Sequence, residues 1–123
     1  MKRNNVGWFE IYVDDMPRAK AFYEAVIGVK LESLESPGIE MWAFPMDMEA
    51  PGSPGSLVHM PGFPVGRNST IVYFSCENCA VEESRVVAAG GKIEKEKFSI
   101  GQYGFISLAY DTEGNMIGLH SLQ

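Results

Sequence analysis

Apolar residues recur along the chain in two rhythms, and each switch between them marks an element. The run Val6-Gly7-Trp8-Phe9-Glu10-Ile11-Tyr12-Val13 is β-branched and aromatic, as a strand requires. Ala19, Phe22, Tyr23 and Val26 follow at i, i+3, i+4 and i+7, the stripe of a helix that packs on a sheet. Asp14 or Asp15 caps that helix, Pro17 suits its first turn and Gly28 ends it. Strands are predicted over residues 30–33 and 40–45 about a Pro37-Gly38 turn, then a Pro/Gly-rich loop over 47–55 and a short strand over 56–59. After a Gly/Pro-rich connector the order returns: strand 70–75, helix 80–89 stopped by Gly90-Gly91, strands 92–98 and 103–110, a turn over 111–115, and strand 116–120.

The return is a repeat. Val13-Asp14-Asp15 corresponds to Cys76-Glu77-Asn78, and Gly28-Val29-Lys30-Leu31-Glu32 to Gly90-Gly91-Lys92-Ile93-Glu94. A period of about 60 residues is too long for a solenoid and suits a duplicated half-domain. Each half, residues 6–59 and 69–120 about a connector over 60–68, supplies one helix and four strands, an incomplete core. The pattern predicts an α+β fold over residues 1–123 as a single domain, with helices outside a mainly antiparallel sheet. Two paired halves can then wrap one central cavity.

Composition narrows the function. The chain of 123 residues carries a net charge of −6, which opposes nucleic acid and anionic membranes as partners. No apolar run reaches the roughly 18–20 residues of a membrane span. The start Met1-Lys2-Arg3-Asn4-Asn5 leads into a strand rather than a signal-peptide core, so a cytoplasmic location is expected. Cys76 and Cys79 are spaced C-x-x-C where a strand passes into a helix, the setting of a redox pair. The plainer reading is two small residues at a helix entry. His59 and His120, the two histidines, complete no zinc ribbon or finger with them.

The stretch F-E-I-Y-V-D-D-M-P-R-A-K-A-F-Y-E-A-V-I-G over residues 9–28 resembles the first module of the vicinal oxygen chelate superfamily. Glyoxalase I, bleomycin-resistance proteins, fosfomycin-resistance enzymes and extradiol dioxygenases belong to that group. In the second half I-V-Y-F-S-C-E-N (71–78), A-A-G-G-K-I (88–93) and D-T-E-G-N-M-I-G-L (111–119) continue the resemblance. It implies tandem βαβββ modules forming a cupped sheet around a pocket, usually in a homodimer. It also implies metal ligands from inward positions on the first and last strands of each module. Carried over by register, those positions are Trp8, Ile71, Gly118 and a place near Leu57 or His59. Indole, alkyl and glycine offer a divalent ion no donor, so the usual metal site is expected to be lost.

Two residues along each strand from these positions stand Glu10, His59, Tyr73 and His120, side chains that strand alternation places on one face. Three readings follow. Glu10, His59 and His120 form a displaced metal site serving a lyase or dioxygenase; or Glu10 works as a metal-free general acid/base with Tyr73 or His120; or the pocket binds a small organic molecule without chemistry. The third is favoured, because the resemblance includes drug-sequestering proteins without a metal of their own. Trp8, Trp42, Phe44, Ile71, Tyr73, Phe105 and Gly118 then line the pocket, with Glu10, His59 and His120 as its polar groups.

Overall fold

The computed structural model describes residues 4–123. Met1–Arg3, part of the start read above, lie outside the described residues. The first half forms β1 (Phe9–Tyr12), α1 (Met16–Ile27), β2 (Glu32–Leu34), β3 (Glu40–Ala43) and β4 (Gly55–His59). The second forms β5 (Val72–Ser75), α2 (Cys79–Val86), β6 (Lys92–Ser99), β7 (Phe105–Tyr110) and β8 (Met116–Ser121). Each half makes a sheet of one plan, β1-β4-β3-β2 and β5-β8-β7-β6, with the first and last strands parallel and the other pairings antiparallel. This is the α+β fold of two tandem βαβββ units.

Local chemistry sets the element ends. Asp15 accepts from Arg18 N at 3.0 Å, capping α1 just before Pro17. Met16, Ala19, Phe22, Tyr23 and Val26 are its buried stripe. Asn78 caps α2 by accepting from Ala80 N at 3.0 Å. α2 stops at Val86, short of the expected 89, because the chain tightens into turns with Gly91 N donating to Val86 O and Gly90 N to Val87 O. Residues 101–103 form a 3-10 turn that takes in Tyr103, where the strand was expected to start, so β7 begins only at Phe105.

The two halves share one core. Ile11, Val13 and Leu57 from the first sheet and Ala109 and Ile117 from the second cluster with the α1 stripe and Val86 of α2. At the joint, Phe9, Tyr23, Phe44 and Phe74 pack ring against ring, with centroids 5.4 Å apart for Phe44–Phe74 and 6.2 Å for Phe9–Phe74. Contacts of this kind add about 0.5–1.5 kcal/mol per pair beyond buried area.

A polar clasp fastens the same joint. The turn between β7 and β8 reaches across to α1. The buried Glu113 carboxylate accepts from Asp14 N and Asp15 N, both at 3.0 Å, and from Arg18 Nε at 2.7 Å. Tyr23 OH donates to Asp111 Oδ2, and Asn115 Nδ2 donates to Tyr12 O at 3.1 Å. Burial by itself would raise the Glu113 carboxyl. Arg18, Thr112 and the two backbone N–H groups outweigh it and hold its pKa at about 2, below the ordinary 4.5. Asp111 goes the other way: burial pushes it up, against hydrogen bonds from Tyr23 and Asn115.

Candidate binding site between the modules

Alternation along β1 divides its residues cleanly. Phe9, Ile11 and Val13 turn to the helices, and Trp8, Glu10 and Tyr12 to the open side of the sheet. β5 repeats the division, with Phe74 on the helix side and Tyr73 on the open side. The same logic follows the ladders outward. Gly118 pairs with Tyr73, and His120 with Ser75, so both share the open side.

The structure therefore splits the expected site. Trp8, Glu10, Ile71, Tyr73, Gly118 and His120 lie on the open side of their sheets. Trp42, Phe44, His59 and Phe105 are on the helix side. Trp42 and His59 share the face of Leu57, and the Lys20 ammonium of α1 lies 4.1 Å from the Trp42 ring centre. Phe44 belongs to the aromatic joint. Phe105 pairs with Ser121, whose hydroxyl accepts from Cys79 N of α2. The physical reason is the two-residue period: Trp42, Phe44 and His59 stand one register step out of phase with Glu10.

Position 118 has a specific reason to be glycine. Tyr73 lies flat across it, and a Cβ built there would stand 2.2 Å from the ring. The phenol ring fills the place that a ligand side chain at this position would take. The counterpart in the first half is Ser56, which pairs with Glu10 as Gly118 pairs with Tyr73. This corrects the expectation of Leu57 or His59: Leu57 is fully buried on the helix side, one residue out of phase. Trp8, Ser56, Ile71 and Gly118 bring one hydroxyl between them, a donor set that does not fit a divalent ion.

The displaced set does not assemble either. His120 Nε2 lies 2.7 Å from Tyr103 O and His59 Nδ1 lies 2.9 Å from Val13 O. A carbonyl only accepts, so each of those nitrogens carries a proton and is not free to ligate a metal. The two rings sit on opposite sides of their sheets, in different halves. Among the described residues no group of three or more His, Cys, Asp or Glu is placed to hold one metal ion.

The cysteine pair fails the redox reading on its own chemistry. Burial, reinforced by the Glu82 carboxylate, pushes the Cys76 thiol up to about 12, where a reactive cysteine needs it lowered. Cys79 is fully buried at the entry of α2.

The sequence missed where the space is. β1 and β5 are both edge strands, paired only with β4 and β8 respectively among the described residues, and a gap remains beside them. A cavity of about 600 Å³ runs along β5, with residues 70–75 all contributing. Phe9, Phe44 and Phe74 form its inner wall, Ile27 and Val29 one flank, and the loop over 45–54 the other. A second cavity of about 310 Å³ lies by the β1 edge, bounded by Glu10, Tyr12, Phe63 and Met116. Phe9, Thr70 and Val72 line both. Continuous participation of both faces of β5 is the mark of an edge, and periodicity alone does not reveal which strand is an edge.

Two open sheets of one plan, sharing one core and flanking a ligand-sized cavity, define the class of paired βαβββ proteins. Comparison with known proteins agrees. Residues 5–119 match the Glyoxalase/Bleomycin resistance protein/Dioxygenase superfamily, and the chain belongs to that superfamily. It is 29% identical over 107 residues to the putative glyoxylase CFP32 of Mycobacterium bovis and Mycobacterium tuberculosis. That match takes in 87% of this chain but spans only 40% of the length of those relatives. Among solved structures, TnmS3, an antibiotic binding protein from Streptomyces sp. CB03234, superposes with a TM-score of 0.70 at 23% identity, covering 100% of this chain and 99% of that one. Glyoxalase I from Zea mays gives a TM-score of 0.73 at 20% identity, over 93% of this chain and 44% of that one.

Proposed function

We propose that this protein binds a small organic molecule in the cavity between its two modules, and does so without the superfamily's metal. The observation that carries the reading is the cavity itself: about 600 Å³, walled by Phe9, Phe44, Phe74, Ile27 and Val29, with Thr70, Ser75 and Asp47 as sparse polar groups. That is the size and chemistry of a site for a drug-sized ligand. Likeness of fold to an antibiotic binding protein supports it, as does the poor donor set at the family's ligand positions. Glu10, Tyr73 and His120, on the open side, are the groups we assign to orienting a ligand that extends past the cavity mouth. We also assign the protein a homodimer, because Trp8 and Tyr73 on the open side remain 37% and 47% exposed, apolar surface that a second copy would cover.

The test is a screen of neutral aromatic compounds by thermal shift and calorimetry, with Ile71→Trp as the variant that fills the cavity. Saturable binding lost in Ile71→Trp, in protein whose metal content is far below one ion per chain, is the expected result. Near-stoichiometric metal that survives dialysis would overturn the metal-free part. Binding indifferent to Ile71→Trp would remove the cavity from consideration.

A further inference from the structure

We propose that the smaller cavity beside β1 is a binding site for an organic ammonium group, carried on a ligand whose apolar part lies against Phe9 and Val72. The inference rests on the ligand-binding role above and adds the charge class of the ligand. Its centre is the exposed Glu10 carboxylate, held in place from its own strand by Trp8 Nε1 at 3.4 Å and Tyr12 OH at 2.8 Å. These two donors occupy part of a carboxylate's acceptor capacity of about four positions and leave room for more. The hydrogen bond to Glu10 also raises the Tyr12 pKa, which keeps the phenol protonated as a donor.

Among the described residues no ion pair involves the Glu10 carboxylate; those present are Arg18–Glu113 and Lys20–Glu24. No Lys, Arg or His among the described residues lines the cavity. Asn68 is already engaged, donating to Met116 O and accepting from Met116 N, so it offers no rival polar anchor. Beside the carboxylate the Tyr12 ring stacks on Phe63 with centroids 3.9 Å apart, an aromatic surface to which a cation is attracted. A carboxylate beside aromatic faces favours ammonium twice, through a charge-assisted hydrogen bond and through the ring quadrupoles. An anionic ligand meets repulsion here. It meets it again in the larger cavity, where Asp47 is the one charged side chain among the described residues. Because Phe9, Thr70 and Val72 line both spaces, an ammonium head on a short apolar chain reaches from one to the other.

The experiment compares three probes with one apolar body: 4-phenylbutylamine, 4-phenylbutanol and 4-phenylbutyrate, measured on the full chain by calorimetry at low salt. The amine is expected to bind about tenfold more tightly than the alcohol, and the carboxylate more weakly than either. Glu10→Gln, which still accepts from Tyr12, should bring the amine to within about twofold of the alcohol. Thr70→Lys, which supplies an internal ammonium from an exposed position, should abolish the preference by a second route. The indole N–H resonance of Trp8 should move with the amine in the unsubstituted protein. An amine no tighter than the alcohol overturns the proposal, as does a preference that survives Glu10→Gln. Alcohol binding without amine preference leaves the ligand-binding reading standing and removes this one; binding of no probe removes both.

Discussion

The two halves are built on one plan and spend their last hairpin differently. In the second half β7 and β8 are joined by a short turn, Asp111 to Asn115, whose three buried polar side chains fasten it to α1 and β1 of the first. In the first half the corresponding connection, residues 44–54 between β3 and β4, is longer and fastens to nothing in the second half by side-chain hydrogen bonds. It walls the larger cavity instead, with Met46 and Met48 turned out to solvent. The difference teaches a division of labour: after duplication, one turn holds the halves together and its counterpart is released to shape a site.

The sharpest way to break that contrast is to cut the clasp. Glu113→Ala leaves two backbone N–H groups and the Arg18 guanidinium without their acceptor, and should cost about 3 kcal/mol in urea denaturation. Acid acts on the same group. Its folded pKa of about 2 lies below its ordinary 4.5, so the stability it supplies is complete above pH 4.5 and is lost as the pH falls toward 2. Asp111, raised by burial, works in the opposite direction. Glu113→Gln should therefore show a shallower decline than the unsubstituted protein between those values when urea midpoints are followed against pH.

A smaller effect is expected on the open side. Gly118→Glu puts a carboxylate at a position that the resemblance marks for a metal ligand, but must expel the Tyr73 ring. The expected cost is about 2 kcal/mol, with a clear part recovered when Tyr73→Ala is combined with it. Strict additivity of the two changes in thermal unfolding would contradict the packing described. Smallest of all is Met48→Ser in the released loop, where 84% exposure predicts a change within about 0.5 kcal/mol and unaltered ligand binding.

The repeat, the helix caps and the family were legible in the residues because each depends on near neighbours. Asp15 before Pro17, the α1 stripe and the D-T-E-G-N turn are local signals, and the superfamily match followed from their order. The site was only half legible. Glu10, Tyr73, Gly118 and His120 share the open side because alternation on one strand carries to its paired neighbour. Trp42, His59 and Phe105 were grouped with them for their chemistry, and a one-residue change of register sent each to the helix side. The clasp was missed altogether: Asp111, Glu113 and Asn115 looked like an ordinary turn, and no spacing within the turn announces the Arg18 and Tyr23 that meet it.

By itself the sequence determined two strand–helix–strand units, their elements and the superfamily, since hydrophobic period and turn chemistry act over a few residues. Tertiary structure alone decided which strands became unpaired edges, and hence where the cavities lie. It also turned one acidic turn into a buried staple and laid Tyr73 over Gly118. Those outcomes depend on which surfaces of two distant segments meet, and a contact between residues 18 and 113 leaves no mark on the pattern around either one.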